Sequence, residues 1–135
     1  ITMMYLTIAR SLYDQILADA DARLPEEACG LLAGVEGVVQ QVTPITNDLH
    51  SETRFRMQPQ EQVNAMLQME KENLDLIAIY HSHPTGPDYP SETDLAEYNY
   101  PGVPYFLLWR TGRVWLAGLF SIDDGIIIPI SMQIV

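Results

Sequence analysis

His81 and His83 stand one residue apart at the end of an apolar run, and side chains on a strand alternate between its faces. Both imidazoles therefore point to one side and can grip a single ion, while Ser82 points to the other. A catalytic Zn2+ commonly takes three protein ligands and leaves a fourth position for water. Asp94 follows His83 by eleven residues and lies one helical turn past Ser91, which places it to complete such a set. Two neutral imidazoles and one carboxylate leave the ion a net charge of about +1, which helps to lower the pKa of bound water from about 15.7 towards neutrality. Moving that water's proton to a leaving amine needs a carboxylate that is not itself a ligand. Glu27, beside the apolar stretch Ala28 to Ala33, is the candidate. Ser91, at the start of a helix, can donate its hydroxyl to a developing oxyanion.

Each of these residues also has a local reading. Ser91-Glu92-Thr93-Asp94 has the form of a capping box, and a cap that also faces the site satisfies both roles. Cys29 reads as a buried packing residue and His50 as a surface residue, while Tyr98, Tyr100, Tyr105 and Trp109 read as core or rim. Asn47 and Arg54 are candidates for ordering the loop that borders the cleft.

The elements that must carry these groups follow from periodicity and punctuation. Tyr5 to Ile8 is β-prone, and Ser11 is expected to cap a helix over about residues 12 to 22, with Leu12, Ile16, Leu17 and Ala20 near helical spacing. Glu27 to Ala33 and Val38 to Ile45 read as a hairpin whose turn is bracketed by Gly34 and Gly37. Thr46 to Met57 is polar and irregular, with Phe55 as its one large apolar anchor. Pro59 opens a helix to about residue 73 whose apolar side is Val63, Met66, Leu67 and Glu70. Leu74 to Tyr80 reads as a buried central strand leading into the His-Ser-His segment, and the prolines of residues 84 to 90 stiffen a loop before the short helix from Ser91 to about Tyr98. Val103 to Trp109, Arg113 to Phe120 and Ile126 to Ile130 are strands separated by Thr111-Gly112 and Asp123-Asp124-Gly125 turns.

The composition bounds the class. With 135 residues, 47% of them hydrophobic and 19% charged, one globular domain spanning 1–135 is expected rather than a disordered chain. A formal charge of -11, from 18 acidic against 7 basic residues, repels phosphate backbones and anionic membrane surfaces. No apolar run approaches the roughly 20 residues that span a bilayer. A single cysteine excludes an internal disulfide and a Cys-rich metal site, and with no basic segment followed by an apolar one at the start, a cytoplasmic protein is expected.

Taken together, Glu27-Ala28-Cys29-Gly30, His81-Ser82-His83-Pro84 and Ser91-Glu92-Thr93-Asp94 resemble the JAMM (MPN+) metalloprotease motif, with seven residues from His83 to Ser91 and two more to Asp94. The resemblance, to short stand-alone prokaryotic members, implies an α/β fold: a mixed β-sheet flanked by helices, similar to the cytidine deaminase-like architecture. It implies that His81, His83 and Asp94 bind one Zn2+, that Glu27 is the general acid/base and that Ser91 supports the oxyanion. The implied reaction is hydrolysis of a peptide or isopeptide bond at the C-terminal Gly-Gly tail of a ubiquitin-like or sulfur-carrier protein. The short stretch after Asp94 leaves little room for the insertion with which eukaryotic relatives hold ubiquitin, so a smaller carrier is expected. The alternative is a non-catalytic assembly module of the same fold, which typically lacks the His-x-His or Asp position. A zinc nucleobase deaminase would need His-x-Glu and Pro-Cys-x-x-Cys, which are absent.

Overall fold

Period-two apolar segments pair here into a sheet that curls back on its first strand. The computed structural model describes residues 5–135. In chain order the elements are β1 (Tyr5–Ile8), α1 (Arg10–Ala22), β2 (Cys29–Val35), β3 (Val38–Ile45), α2 (Pro59–Lys71), β4 (Asp75–His83), α3 (Glu92–Glu97), β5 (Tyr105–Thr111), β6 (Val114–Asp123) and β7 (Ile126–Ile134). The expected α/β class with a mixed sheet and flanking helices is what forms. The strands run β1-β3-β2-β4-β5-β6-β7 in a closed barrel, with β1/β3, β1/β7 and β4/β5 parallel and the other neighbours antiparallel.

Alternation along β2 and β4 feeds two cores, one on each face of the sheet. Leu32, Ala78 and Tyr80 join Leu6, Ile8, Ile16 of α1, Phe106 and Leu108. The opposite face sends Leu31, Ala33 and Ile79 to Ile45, Met57, Met69 of α2 and Tyr105. β4 is thus covered on both sides, as its nearly continuous apolar run anticipates. His81 and His83 keep the parity of Ile79 and fall on the α2 side.

Several local expectations are corrected. α1 begins at Arg10, and Ser11 lies inside its first turn rather than capping it; the N-cap is Ala9, with no side-chain cap. The orphan N–H of Arg10 is satisfied instead by the carbonyl of Val135, 2.8 Å away. The hairpin turn is Glu36-Gly37, both with positive φ (51° and 78°), as a tight two-residue turn demands. Gly34 sits within β2 at a register shift, where a Cβ would stand 1.8 Å from the Val38 carbonyl oxygen. Met57 is a second apolar anchor of the irregular segment, buried in the α2-side core. On α2, Val63 and Leu67 are exposed, at 52% and 53%. The buried residue is Met69, flanked by Ala65 and Met66. The helix has turned the neighbouring stripe inward. β7 runs to Ile134 rather than 130, and its last four paired residues are the ones that meet β1.

Candidate metal centre

The site is assembled from three separate pieces of chain. β4 delivers His81 and His83 at its carboxyl end, the first turn of α3 delivers Asp94, and the residues leading into β2 deliver Glu27. One potential ligand atom from each of the four lies within 4.8 Å of every other, and all four residues are buried. Asp94 Oδ2 is 3.0 Å from His81 Nε2 and 3.0 Å from His83 Nε2. Ser91 caps α3, its hydroxyl oxygen accepting the Asp94 N–H at 3.0 Å while its own N–H donates to Asp94 Oδ2 at 2.8 Å. The capping box holds the aspartate rotamer toward the histidines.

The donor set fits a divalent cation. Nδ1 of His83 lies 2.7 Å from the Pro87 carbonyl, so a neutral ring carries its proton there and turns the Nε2 lone pair toward Asp94. Two acceptors then face each other at 3.0 Å, an arrangement relieved by a cation or by an extra proton. Oε1 of Glu27 and Nδ1 of His81 are buried without a hydrogen-bond partner, and two carboxylates in a buried pocket demand a compensating positive charge.

The titration behaviour follows the same logic. Burial pushes the Glu27 carboxyl up to about 8, with Asp94 and Glu97 adding to the rise and His83 opposing it. Burial would also raise Asp94, but hydrogen bonds from His81, His83 and the Ser91 N–H outweigh it and hold the carboxyl well below the usual range. Burial lowers His81 more than Asp94 raises it. For His83 the contacts with Asp94 and Pro87 overcome burial and the ring is raised. Burial pushes the Cys29 thiol up to about 12, so at neutral pH it is an inert packing group beside the Ile45 carbonyl.

A layer of residues without chemistry of their own fixes this geometry. The main chain of Glu27 donates to the Ser51 carbonyl at 2.8 Å and accepts from Asn47 Nδ2 at 3.1 Å. The next N–H, of Ala28, donates to Ser82 Oγ at 2.8 Å, which explains why the residue between the histidines is a buried serine facing away from the metal side. Asn47 is buried and organises the loop: Nδ2 also reaches the Arg54 carbonyl, and Oδ1 accepts from the N–H groups of Leu49 and Arg56. Arg54 pairs with Glu97 across the mouth of the site. Phe55 stacks on His81 with ring centroids 4.6 Å apart, and Tyr105 meets the same imidazole in a T-shaped contact at 4.8 Å. Tyr98 and Tyr105 belong to the core, and His50 is exposed, its Nδ1 3.1 Å from Glu26. Ser51 carries no signal in the sequence, Ser82 is marked only by its position between the two histidines, and Phe55 is legible as an apolar anchor but not as the ring that stacks on His81. A cleft of about 470 Å3 opens beside Asp94, bounded by Phe55, Arg56, Gln62, Tyr98 and Tyr100.

Residues 9–119 match the model of the prokaryotic homologs of the JAB domain. The chain belongs to this family. A CysO-cysteine peptidase of Mycobacterium tuberculosis is 36% identical over 109 residues, 79% of this chain and 75% of that protein. A desampylase of Haloferax volcanii is 31% identical over 121 residues, 84% of this chain and 86% of the other. Among solved structures, a protein of Desulfitobacterium hafniense superposes with a TM-score of 0.88 at 29% identity, covering 98% of this chain and 93% of its own. A JAB1/MPN domain protein of Archaeoglobus fulgidus gives 0.64 at 20% identity over 97% and 98% of the two chains, a likeness of fold. This JAB-family chain is a hydrolase of the JAMM metallopeptidase type, and it carries the grouped histidines and carboxylates that such a metal site requires. No helix among the described residues is long and apolar enough to cross a membrane.

Proposed function

We propose that the protein cleaves the peptide or isopeptide bond that follows the C-terminal Gly-Gly tail of a ubiquitin-like or sulfur-carrier protein, in the cytoplasm, with His81, His83 and Asp94 holding one Zn2+. The observation that carries this reading is the buried set of Glu27, His81, His83 and Asp94 within 4.8 Å, with Glu27 Oε1 unpartnered. The names of the relatives, a CysO-cysteine peptidase and a desampylase, support the substrate class. When bound, the metal supplies Lewis acidity that makes water nucleophilic near neutral pH.

The chain's own residues supply the rest. Glu27 is the general acid/base: its main chain is clamped at both peptide groups, so its carboxyl is presented from a fixed point, and a proton affinity near neutrality suits both taking and giving a proton. Ser91 supports the oxyanion: its oxygen accepts the Asp94 N–H, which leaves its own proton free to donate to a substrate carbonyl. Phe55 and Tyr105 wall off His81 from water. An extended tail can pair with main-chain groups that the barrel leaves free, and the segment 54–57 offers such groups. Arg54 and Arg56 turn main-chain groups to Asn47 and Asp48, and the alternating groups of Phe55 face the other way with no hydrogen bond among the described residues.

The test is incubation with a carrier extended beyond Gly-Gly, with and without a chelator. Shortening by the extension that stops with chelator and returns with zinc is expected. Intact carrier in every arm overturns the proposal.

A further inference from the structure

The chain has seven cationic side chains against eighteen acidic ones, yet two of the seven, Arg54 and Arg56, flank Phe55 at the cleft beside Asp94. They share one face of an extended segment whose alternate residues, Phe55 and Met57, pack inward. Arg54 is neutralised by Glu97 of α3. Arg56 has no ion-pair or hydrogen-bond partner for its guanidinium among the described residues, although its side chain borders the cleft. Its backbone is among the best fixed in the loop. The N–H donates to Asn47 Oδ1 at 3.2 Å and the carbonyl accepts the Asp48 N–H at 2.8 Å, so an unpaired guanidinium projects from a rigid base.

The surroundings make that charge selective. Asp94 and, more deeply, Glu27 give the inner wall a negative field, while Glu97 is taken up by Arg54, so Arg56 is the cation at this cleft left to meet a ligand anion. A guanidinium left free at the rim of a cleft matches a planar carboxylate through two parallel hydrogen bonds, although Arg56 itself is exposed. Resting on the hydrolase reading above, we infer that Arg56 is a specificity residue that binds a carboxylate of the substrate in this cleft. That carboxylate has two possible sources within one conjugate: the free α-carboxylate of a single leaving amino acid, or an acidic side chain on the carrier tail just before its glycines. Arg56 orients the substrate by this contact and takes no part in bond cleavage.

Four versions of one tail-extended carrier separate these cases: a single added residue ending as acid or as carboxamide, each with Glu or Gln at the tail position preceding Gly-Gly. For wild-type protein, kcat/KM is expected to favour a charged version over its neutral counterpart by about tenfold, carried by KM. Preference for acid over carboxamide assigns the leaving residue, and preference for Glu over Gln assigns the tail. In Arg56→Gln that ratio falls toward one, and Arg56→Lys restores part of it, an outcome that loss of folding cannot imitate. Equal chelator-sensitive cleavage of all four versions by wild type, or an unchanged ratio in Arg56→Gln, overturns the inference and leaves the hydrolase intact. Failure of wild type to cleave any of the four overturns both.

Discussion

A buried carboxylate with an idle oxygen is expensive unless its charge is used. Glu27→Gln removes a group that Asp94 repels and that lacks a partner at Oε1. Its thermal midpoint without metal is therefore expected to equal or exceed that of wild type, while turnover falls at least about a hundredfold. Calorimetry beside a cleavage assay checks both, and a large loss of stability would argue that the residue is structural. Asn47 is the opposite case, a residue with no chemistry whose amide holds both Glu27 and the 49–56 loop. Asn47→Ala strands several buried polar groups and is expected to cost about 3 kcal/mol, a drop of about 10 °C in midpoint, with activity lost in proportion to loop disorder.

Elements respond to where their apolar stripe actually points. Gly34→Ala would press a methyl group into the Val38 carbonyl and Ile77, so it is expected to unfold the hairpin or shift its register, seen as loss of strand signal and midpoint. Leu67→Gln, on the exposed flank of α2, is expected to change stability by less than about 0.5 kcal/mol. The contrast shows what one sequence can disclose. His81 and His83 were readable because period two is a property of the strand itself, and Ser91 with Asp94 because a capping box is local. The inward stripe of α2 was not, since Val63-Leu67 and Ala65-Met69 are equally good helical spacings and only the facing strands choose between them. The loop-ordering role of Asn47 is legible, but its partners are not, because they are backbone atoms that look alike in every sequence. Arg10 of α1 was unreadable for a third reason: its capping carbonyl comes from the other end of the chain.

At the scale of the molecule, the candidate metal centre gathers residues that β4, α3 and the approach to β2 bring from distant parts of the chain. Zinc bound to the folded state alone is expected to raise the midpoint by about 10 °C at a hundredfold excess over its Kd, and a chelator to reverse this. Protons compete for the ligands, and contacts with Asp94 and Pro87 raise His83, so affinity is expected to fall as the solution is acidified through the histidine range. Titration of zinc release against pH measures it. Affinity that held constant or rose on acidification would exclude His83 as a ligand.

The seam between β1 and β7 also bears on the order in which this protein is made. Tyr5 to Ile8 lie in register with Ser131 to Ile134, so although Thr7 meets Val38 of β3 early, most of the first strand waits until β7 is made before it is paired. Pairings of such sequence separation form slowly, because the loop they close must be ordered first. On the ribosome, both histidines, Asp94 and Glu27 emerge before the wall that completes their barrel. The nascent chain therefore holds every residue of the candidate centre some time before it holds a rigid site, and in pulse-labelled refolding the amides of β1 are expected to be protected last.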